Sequence, residues 1–212
     1  SNSARVITIS RRNREAMLET VPGLTGEKIQ VIHCGVDLAF FKQPEIQTGP
    51  LNTPLQITSV GSLIEKKGHE YLIRACSILK QQGIPFHCEI IGTGELEQDL
   101  ESQIHSLGLD GLVHLAGKRS QVWVKERLAQ SGVFVLACVR TSSSDQDGIP
   151  VAMMESLAMG VPVISTAVSG IPEMITHEVT GLLVDERDPE GIAQAVTRLT
   201  QDTGLRESLR KQ

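Results

Sequence analysis

The stretch LQITSVGSLIEKKGH, residues 55–69, decides the fold because it holds the strand, the loop and the helix start of the first unit in a regular series. Leu55–Val60 is a run of strand length, rich in apolar and β-branched residues, that is followed by Gly61. A loop with two adjacent lysines follows, and from His69 apolar residues recur at helical spacing until Gly83 ends the pattern. A strand followed directly by a helix predicts a βα unit.

The same unit recurs along the rest of the chain. Most of the predicted strands are apolar runs without alternation, which is typical of strands buried on both faces. The sequence therefore predicts an α/β fold with a Rossmann-like parallel six-stranded sheet and helices on both faces. The predicted strands are Leu55–Val60, Phe86–Ile91, Val113–Leu115, Val133–Ala137, Val161–Ser165 and Gly181–Val184, and the predicted helices are His69–Gln82, Glu95–Leu107, Val122–Gln130, Val151–Met159, Pro172–Thr176 and Pro189–Leu199.

The residues before this series form a shorter pattern of their own. Arg5–Ile9 indicates a strand, Arg11–Glu19 a helix and Lys28–Cys34 a second strand. Residues 43–54 contain three prolines and a glycine without periodicity, which is typical of a linker. Because the chain opens in the middle of a strand pattern, we expect it to be a piece of a longer protein.

Composition and charge exclude several classes of function. The 212 residues are 40% hydrophobic and 21% charged, and the net charge of −5 gives no general reason to expect nucleic acid as a partner. The longest apolar run is far shorter than the ~18 residues of a membrane span. The four cysteines form no CxxC pair and the six histidines show no metal-ligand spacing. We therefore expect reduced thiols, no bound metal and a cytoplasmic location.

In a parallel sheet, ligands bind beyond the carboxyl ends of the strands, which directs attention to the loops there. Lys67 precedes a helix start, where a bound phosphate would offset the unfavourable meeting of a cation with the helix dipole. Gly92-Thr93-Gly94 lacks the third glycine of a dinucleotide loop, and acids follow it, so we interpret it as a tight turn. Lys118 and Arg119 follow Gly117 in a loop that fits a base or a phosphate.

The loop after the fourth predicted strand runs into an apolar helix with a carboxylate at each end of the segment, Asp147 and Glu155. Side chains of a helix lean toward its N-terminus, so Glu155 points toward the mouth of the site and can accept hydrogen bonds from a vicinal diol such as a ribose. The residues alone also allow explanations that need no ligand. The lysines would then be solvated in a surface turn, Asp147 would cap the helix, and Glu155 would be a buried structural acid.

Several segments together resemble the retaining glycosyltransferases of family 4. They occur in the order of that family and cover almost the whole chain. The segments are VIHCGVD at 31–37, GSLIEKKG at 61–68, the acids Asp147 and Glu155 with seven residues between them, AMGVPVI at 158–164, SGIPE at 169–173 and GLLV at 181–184.

The resemblance implies a GT-B fold, in which two Rossmann-like domains face each other across a cleft. Residues 1–44 would be the terminal part of the N-terminal acceptor domain and the crossover, 45–54 a linker, and 55–212 the nucleotide-sugar-binding C-terminal domain. It further implies sugar transfer from a UDP-, GDP- or ADP-sugar to a carbohydrate or lipid-linked acceptor, without a metal or other cofactor, in polysaccharide or glycolipid biosynthesis. Because most of the acceptor half is missing, we expect no turnover by this chain alone. Peripheral membrane association of the longer enzyme stays open.

The resemblance also assigns roles to residues. Glu155 would bind the ribose hydroxyls, Asp147 would approach the donor sugar, and Lys67 would stabilise the leaving diphosphate. Backbone N–H groups that face the sugar and phosphates would come from Gly148, Ile149, Val151 and Ala152, and Lys118 and Arg119 fall where the family holds the base.

Three positions depart from the family pattern. Ser62 stands where the family commonly has an arginine of the phosphate-binding pair, which leaves Lys66 or Arg140 as substitutes. Asp147 is one methylene shorter than the commoner glutamate, and Pro150 removes one N–H from the loop. Two alternative functions follow, a GT-B sugar-nucleotide epimerase and a non-catalytic nucleotide-sugar-binding module.

Overall fold

The computed structural model describes residues 5–42, 53–141 and 148–211. In these ranges the chain forms two parallel sheets, one of two strands and one of six. The strands are β1 Val6–Thr8, β2 Ile29–Val31, β3 Leu55–Val60, β4 Phe86–Ile91, β5 Val113–Gly117, β6 Val133–Leu136, β7 Val163–Thr166 and β8 Leu182–Val184. The helices are α1 Arg11–Thr20, α2 His69–Gln81, α3 Glu97–Ser106, α4 Gln121–Gln130, α5 Val151–Ala158, α6 Pro189–Gln201 and α7 Thr203–Arg210.

The six-stranded sheet confirms the predicted α/β fold. Its strand order is β5-β4-β3-β6-β7-β8, and all five neighbouring pairs are parallel. The chain starts in the middle at β3, moves outward through β4 and β5, and then crosses back to β6 on the other side of β3. The order therefore reverses between β3 and β6, and this switch point is where open α/β sheets bind ligands.

Helices cover both faces of this sheet, because its central strands are apolar on both sides. In β6, all four side chains are fully buried, and they alternate between two apolar clusters. Val133 and Val135 belong to the cluster that packs under α2, α3, α6 and α7. Phe134 and Leu136 belong to the cluster under α4 and α5. Burying such a side chain contributes ~1.5–3 kcal/mol. Strands with apolar side chains on both faces therefore favour a core on each side of the sheet.

The structure differs from the sequence expectation at several element ends. The expected helix at Pro172–Thr176 is a 3-10 turn over Ile171–Glu173. The fifth strand of the sheet begins at Val163 rather than Val161. The chain also forms a helix, α7, that was not expected. The Asp202 carboxylate starts it by accepting a hydrogen bond of 2.9 Å from the backbone N–H of Leu205.

Residues 5–42, here called the N-terminal segment, form β1, α1 and β2 at the predicted places, with both strands shorter than expected. Phe41, near the end of the segment, is 1% exposed and belongs to the α4/α5 cluster of the large sheet. The segment is thus attached to the large sheet through a core residue. The predicted linker at 45–54 lies outside the described residues up to position 52.

Candidate functional site

The loop after β3 is built against the end of β6, across the switch point. Gly68 adopts a left-handed conformation with φ 64°, and a Cβ on it would lie 1.8 Å from the carbonyl oxygen of Ala137. The backbone N–H of Val139 donates to the carbonyl of Lys66 over 3.0 Å. Only glycine fits at position 68, because any side chain would clash with the backbone of Ala137. The loop after β3 and the loop after β6 are thus packed directly against each other.

Lys67 extends its side chain back over the end of β3. A Cβ on Gly61 would lie 3.3 Å from Cδ of Lys67, so the glycine leaves room for the lysine stem. His69 lies beneath, 3% exposed, with its Nδ1 3.4 Å from the hydroxyl of Ser59. Burial, together with the charge of Lys67, lowers the pKa of His69 to about 4. His69 is therefore neutral at neutral pH, and Lys67 supplies the positive charge here.

The glycines of the Gly92-Thr93-Gly94 turn serve close packing. A Cβ on Gly92 would lie 1.9 Å from the carbonyl oxygen of Gly61, and one on Gly94 would lie 2.3 Å from that of Leu63. The next helix, α3, begins only at Glu97. This turn supports the Lys67 loop, as expected for a tight turn.

Glu155 is the buried acid that the sequence singled out, and it has a partner. Its residue is 8% exposed, and its Oε1 lies 3.4 Å from Nε2 of Gln121, at the start of α4. Burial raises the pKa of Glu155, and the hydrogen bond from Gln121 acts in the opposite direction. A buried carboxylate with one long hydrogen bond is well suited to accept further donors from a ligand.

The segment before Glu155 carries backbone donors. Pro150, with φ −64°, occupies the position just before α5, and its carbonyl accepts from the N–H of Met153. The first N–H groups of an α-helix have no partner within the helix. Those of Val151 and Ala152, at the start of α5, are of this kind. Asp147, the expected sugar-facing acid, lies outside the described residues.

Gly148 packs against the turn between β1 and α1. A Cβ on Gly148 would lie 2.5 Å from Cδ1 of Ile9 and 3.9 Å from the Nδ2 atom of Asn13. The N-terminal segment therefore forms one wall beside the loop that precedes α5. The sequence alone did not indicate this contact, because the residues are more than a hundred positions apart.

The loop after β5 presents Lys118 and Arg119 to solvent. The guanidinium of Arg119 lies 5.1 Å from the ring centre of Trp123, and that of Arg127 lies 4.7 Å from it. Trp123, interpreted from the sequence as a packing residue, packs on the α4/α5 cluster and also holds Arg119 in place.

The two candidate substitutes for the missing arginine differ in their surroundings. Arg140 is engaged by Glu186, whose carboxylate accepts from its backbone N–H at 2.8 Å and its Nε at 2.7 Å. Lys66 is half-buried on the loop joined to β6, beside Lys67. Ser62 is exposed on the same loop. The charge of Arg140 is thus matched by that of Glu186 in this structure.

Neither a metal cluster nor a membrane span occurs in the ranges that the structure covers. Across residues 5–42, 53–141 and 148–211, no three His, Cys, Asp or Glu side chains lie in an arrangement that could hold a metal ion. None of the helices in those ranges is long and apolar enough to cross a bilayer.

Residues 42–212 match the family described as glycosyl transferases group 1. The amylovoran biosynthesis glycosyltransferase AmsK of Erwinia amylovora is 41% identical over 179 residues, which cover 84% of this chain and 44% of AmsK. The putative colanic acid biosynthesis glycosyltransferase WcaL of Escherichia coli strain K12 is 40% identical over the same shares. The chain thus spans less than half the length of these relatives.

Solved structures of low identity share the fold. Anabaena Alr3699/HepE in complex with UDP and glucose superimposes with a TM-score of 0.82 at 20% identity, over 98% of this chain and 56% of HepE. Sucrose-phosphate synthase of Thermosynechococcus elongatus gives a TM-score of 0.83 at 22% identity, over 99% of this chain and 52% of the synthase.

Proposed function

Because the chain belongs to the glycosyl transferases group 1 family, we propose that it is the donor-binding part of a retaining GT-B glycosyltransferase of family 4. The intact enzyme transfers a hexose from a nucleotide diphosphate sugar to an acceptor hydroxyl with retention of configuration. The names of AmsK and WcaL refer to amylovoran and colanic acid biosynthesis. These names support a role in polysaccharide or glycolipid biosynthesis, with a carbohydrate or lipid-linked acceptor.

The donor carries UDP, GDP or ADP. HepE holds UDP and glucose, and a mannosyltransferase of Mycobacterium tuberculosis that is 29% identical to this chain is described as GDP-mannose-dependent. Relatives therefore support a nucleotide sugar as the donor class without selecting the base. Lys118 and Arg119 are the side chains proposed to meet that base.

The observation that carries the proposal is the Glu155 carboxylate, buried at the floor of the switch point with Gln121 3.4 Å away. Two ribose hydroxyls would donate to this carboxylate and favour its charged form. Because hydrogen bonds to a charged group contribute about 1.5–3 kcal/mol each, Glu155 would be a principal determinant of nucleotide affinity.

The diphosphate would lie between Lys67 and the start of α5. Lys67 offers its ammonium group, Lys66 or Arg140 would take the place of the arginine that Ser62 replaces, and the backbone N–H groups of Gly148, Ile149, Val151 and Ala152 complete the set. As the bond from sugar to phosphate breaks, these fixed donors stabilise the charge that develops on the leaving nucleotide. The acceptor hydroxyl attacks on the same face, and Asp147 approaches the donor sugar.

The division of the chain follows from the same proposal. Residues 1–44 belong to the end of the acceptor domain and the crossover, 45–54 connect, and 55–212 bind the donor. Because most of the acceptor side of the cleft lies in the part of the relatives that this chain does not match, we expect it to bind nucleotides without turnover. The intact enzyme is proposed to act in the cytoplasm, with peripheral membrane association where its acceptor is lipid-linked.

Calorimetry with UDP, GDP and ADP tests the ribose assignment on wild type and on Glu155→Gln, which keeps the shape of the side chain. We expect at least one nucleotide to bind the wild type, and the variant to bind it roughly ten- to a hundredfold more weakly. Glu101→Gln, on the exposed side of α3, is the matched control. Equal affinity of wild type and Glu155→Gln for every nucleotide that binds would contradict the assignment.

A non-catalytic nucleotide-sugar-binding module is the second candidate, and two observations favour it. Ser62 lacks the charge of the family arginine, and Arg140 is paired with Glu186. Assays of the intact longer protein with a panel of UDP-, GDP- and ADP-sugars separate the two functions. Nucleotide binding with neither transfer nor hydrolysis of any donor would favour the module.

A further inference from the structure

Helix α1 of the N-terminal segment begins with positive charges, which the dipole of a helix disfavours at this end. Its first turn contains Arg11 and Arg12 and no acidic residue. The N-terminus of a helix carries a partial positive charge, so cations there are unfavourable and a carboxylate is favourable. No residue of α1 is fully buried, and its apolar residues Ala16, Met17 and Leu18 are half-buried.

The missing carboxylate comes from the other end of the chain. Oε2 of Glu173 accepts from the backbone N–H of Arg11 at 2.9 Å, and Oε1 accepts from that of Arg12 at 3.1 Å. The His33 Nε2 atom, in the segment after β2, lies 3.1 Å from the same Oε2. The side chain of Glu173 is 16% exposed. One carboxylate therefore joins the start of α1 and His33 to the large sheet.

The rest of the helix start is satisfied locally, which makes the role of Glu173 specific. Ser10, fully buried just before α1, accepts from the N–H of Asn13 through its hydroxyl and from that of Arg14 through its carbonyl. The N–H groups of Arg11, Arg12 and Asn13, which have no partner within an α-helix, are thus all bonded here, and the N–H of Arg14 forms the first regular bond of the helix. Two of them depend on Glu173, from a turn 160 positions away in the sequence.

Glu173 also lies beside the loop that precedes α5. A Cβ on Gly170, three residues before it, would lie 2.9 Å from Cγ1 of Ile149 and 3.1 Å from Cβ of Ser10. The turn at Ile9 and Ser10, the loop at Gly148 and Ile149, and the turn at Gly170 therefore meet at one point. Any shift of α1 would move a wall of the proposed donor site.

From this geometry we infer that Glu173 is a positioning residue, which holds the start of α1 against the donor loop and so fixes the cleft wall beside the donor. The inference rests on the proposed function for the statement about the donor, and on geometry alone for the attachment of α1. It assigns to Glu173 neither a contact with the substrate nor a chemical step.

Hydrogen–deuterium exchange of the 212-residue chain tests the attachment without any ligand. Glu173→Gln removes the charge and leaves one acceptor oxygen for two N–H donors. We expect amide exchange at Arg11 and Arg12 to become roughly tenfold faster or more, with a smaller increase at Gly148 and Ile149. Glu178→Gln is the control, because Glu178 also forms an ion pair, with Arg198, away from α1. Unchanged exchange in Glu173→Gln, or an equal increase in Glu178→Gln, would overturn the attachment.

A second pair of variants removes the donor rather than the acceptor. Proline is tolerated at the first position of a helix, and Ser10 has the extended conformation, φ −148° and ψ 157°, that a residue before proline requires. Arg11→Pro therefore deletes one N–H to Glu173 while α1 can still form, and Arg11→Ala keeps that N–H. We expect faster exchange at Arg12 and Asn13 in the proline variant only. Equal exchange in both variants would contradict the inference.

Nucleotide binding then tests the link to the donor site. The nucleotide among UDP, GDP and ADP that binds the wild type is titrated into Glu173→Gln and Glu178→Gln, with the unfolding temperature measured for each. We expect several-fold weaker nucleotide binding in Glu173→Gln and unchanged binding in Glu178→Gln. The unfolding temperatures show whether a general loss of stability accounts for the difference. Unchanged binding with faster α1 exchange would overturn the positioning role. A wild type that binds none of the three contradicts the proposed function instead, and exchange at Gly148 and Ile149 then decides the inference.

Discussion

The large sheet and the N-terminal segment are held by different kinds of interaction. In the sheet, two apolar clusters lie on opposite faces and include side chains from every strand and from α2 to α7. In the segment, four residues are buried in the range described, namely Thr8, Ser10, Ile29 and Phe41. The large sheet is therefore stabilised by its own core, whereas the N-terminal segment depends on a few contacts with the large sheet.

The contacts of the segment differ in type at its two ends. Phe41 inserts into the α4/α5 cluster, with the ring of Phe40 packed edge-on at 5.0 Å. At the other end, Glu173 bonds the start of α1. An apolar anchor and a polar one therefore border the proposed donor site, and variants can separate their contributions.

The largest expected effect comes from the packed loop of the large sheet. Gly68→Ala places a Cβ where the carbonyl oxygen of Ala137 stands, in addition to the cost of a left-handed conformation. We expect the free energy of unfolding to fall by about 4 kcal/mol or more, measured by urea denaturation. Gly111→Ala is the matched control, because Gly111 has φ 79° and nothing within 4 Å of the added atom. It should lose only about 1–2 kcal/mol, and equal losses would contradict the packing argument.

The apolar anchor of the segment should rank next. Phe41→Ala removes a fully enclosed ring from the α4/α5 cluster, and we expect a loss of about 3 kcal/mol in the free energy of unfolding. Phe40→Ala, at the half-buried neighbour under the ammonium of Lys125, should lose about 1 kcal/mol or less. Similar losses for the two variants would show that Phe41 is not the anchor.

At the buried acid of α5, Glu155→Gln should change stability in a pH-dependent way. Burial raises the pKa of Glu155, so its stabilising contribution is full below the pKa of the unfolded chain and is lost as pH rises through the native pKa. We therefore expect the variant to gain stability relative to wild type as pH rises from acid to neutral. Unfolding curves across that range measure the difference, and a constant difference would contradict the assigned cause.

The smallest expected effect is at the exposed contact of the segment. His33→Ala removes one partner of Glu173 and leaves both N–H donors of α1 in place. Exposed ion pairs contribute about 0–1 kcal/mol, so we expect a change within that range, measured by urea denaturation. A loss as large as that of Phe41→Ala would contradict the ranking of the apolar contact above the His33 contact.

Much of the fold could be predicted, and the reason is local. The bounds of Leu55–Val60 and Phe86–Ile91 match the prediction to the residue because each is a short run rich in apolar and β-branched residues that is followed by a glycine. The buried acid Glu155 was visible for the same reason, as one charge within an apolar helix. Helix α7 was missed because the Asp202 cap begins it immediately after α6, where no break in pattern marks a new element.

The partners of the site residues could not be predicted in this way. Gln121 is an ordinary polar residue at a helix start, and its hydrogen bond to Glu155 depends on how α4 and α5 lie across the sheet. Arg140 carried a charge suited to a phosphate, yet its bond to Glu186 becomes visible only once β6 and the turn before α6 are placed.

The sequence by itself determined the six strands of the large sheet, most of the helices, the parallel two-sided arrangement and the loops at its carboxyl edge, since hydrophobic periodicity records which faces of each element are buried. It also indicated a glycosyltransferase, through segments that occur in a set order, and residues 42–212 match the glycosyl transferases group 1 family. Only the tertiary structure decided which groups meet. Arg11 and Glu173 are 162 positions apart, and the pairing of a helix start with a distant carboxylate leaves no trace in the local pattern of either.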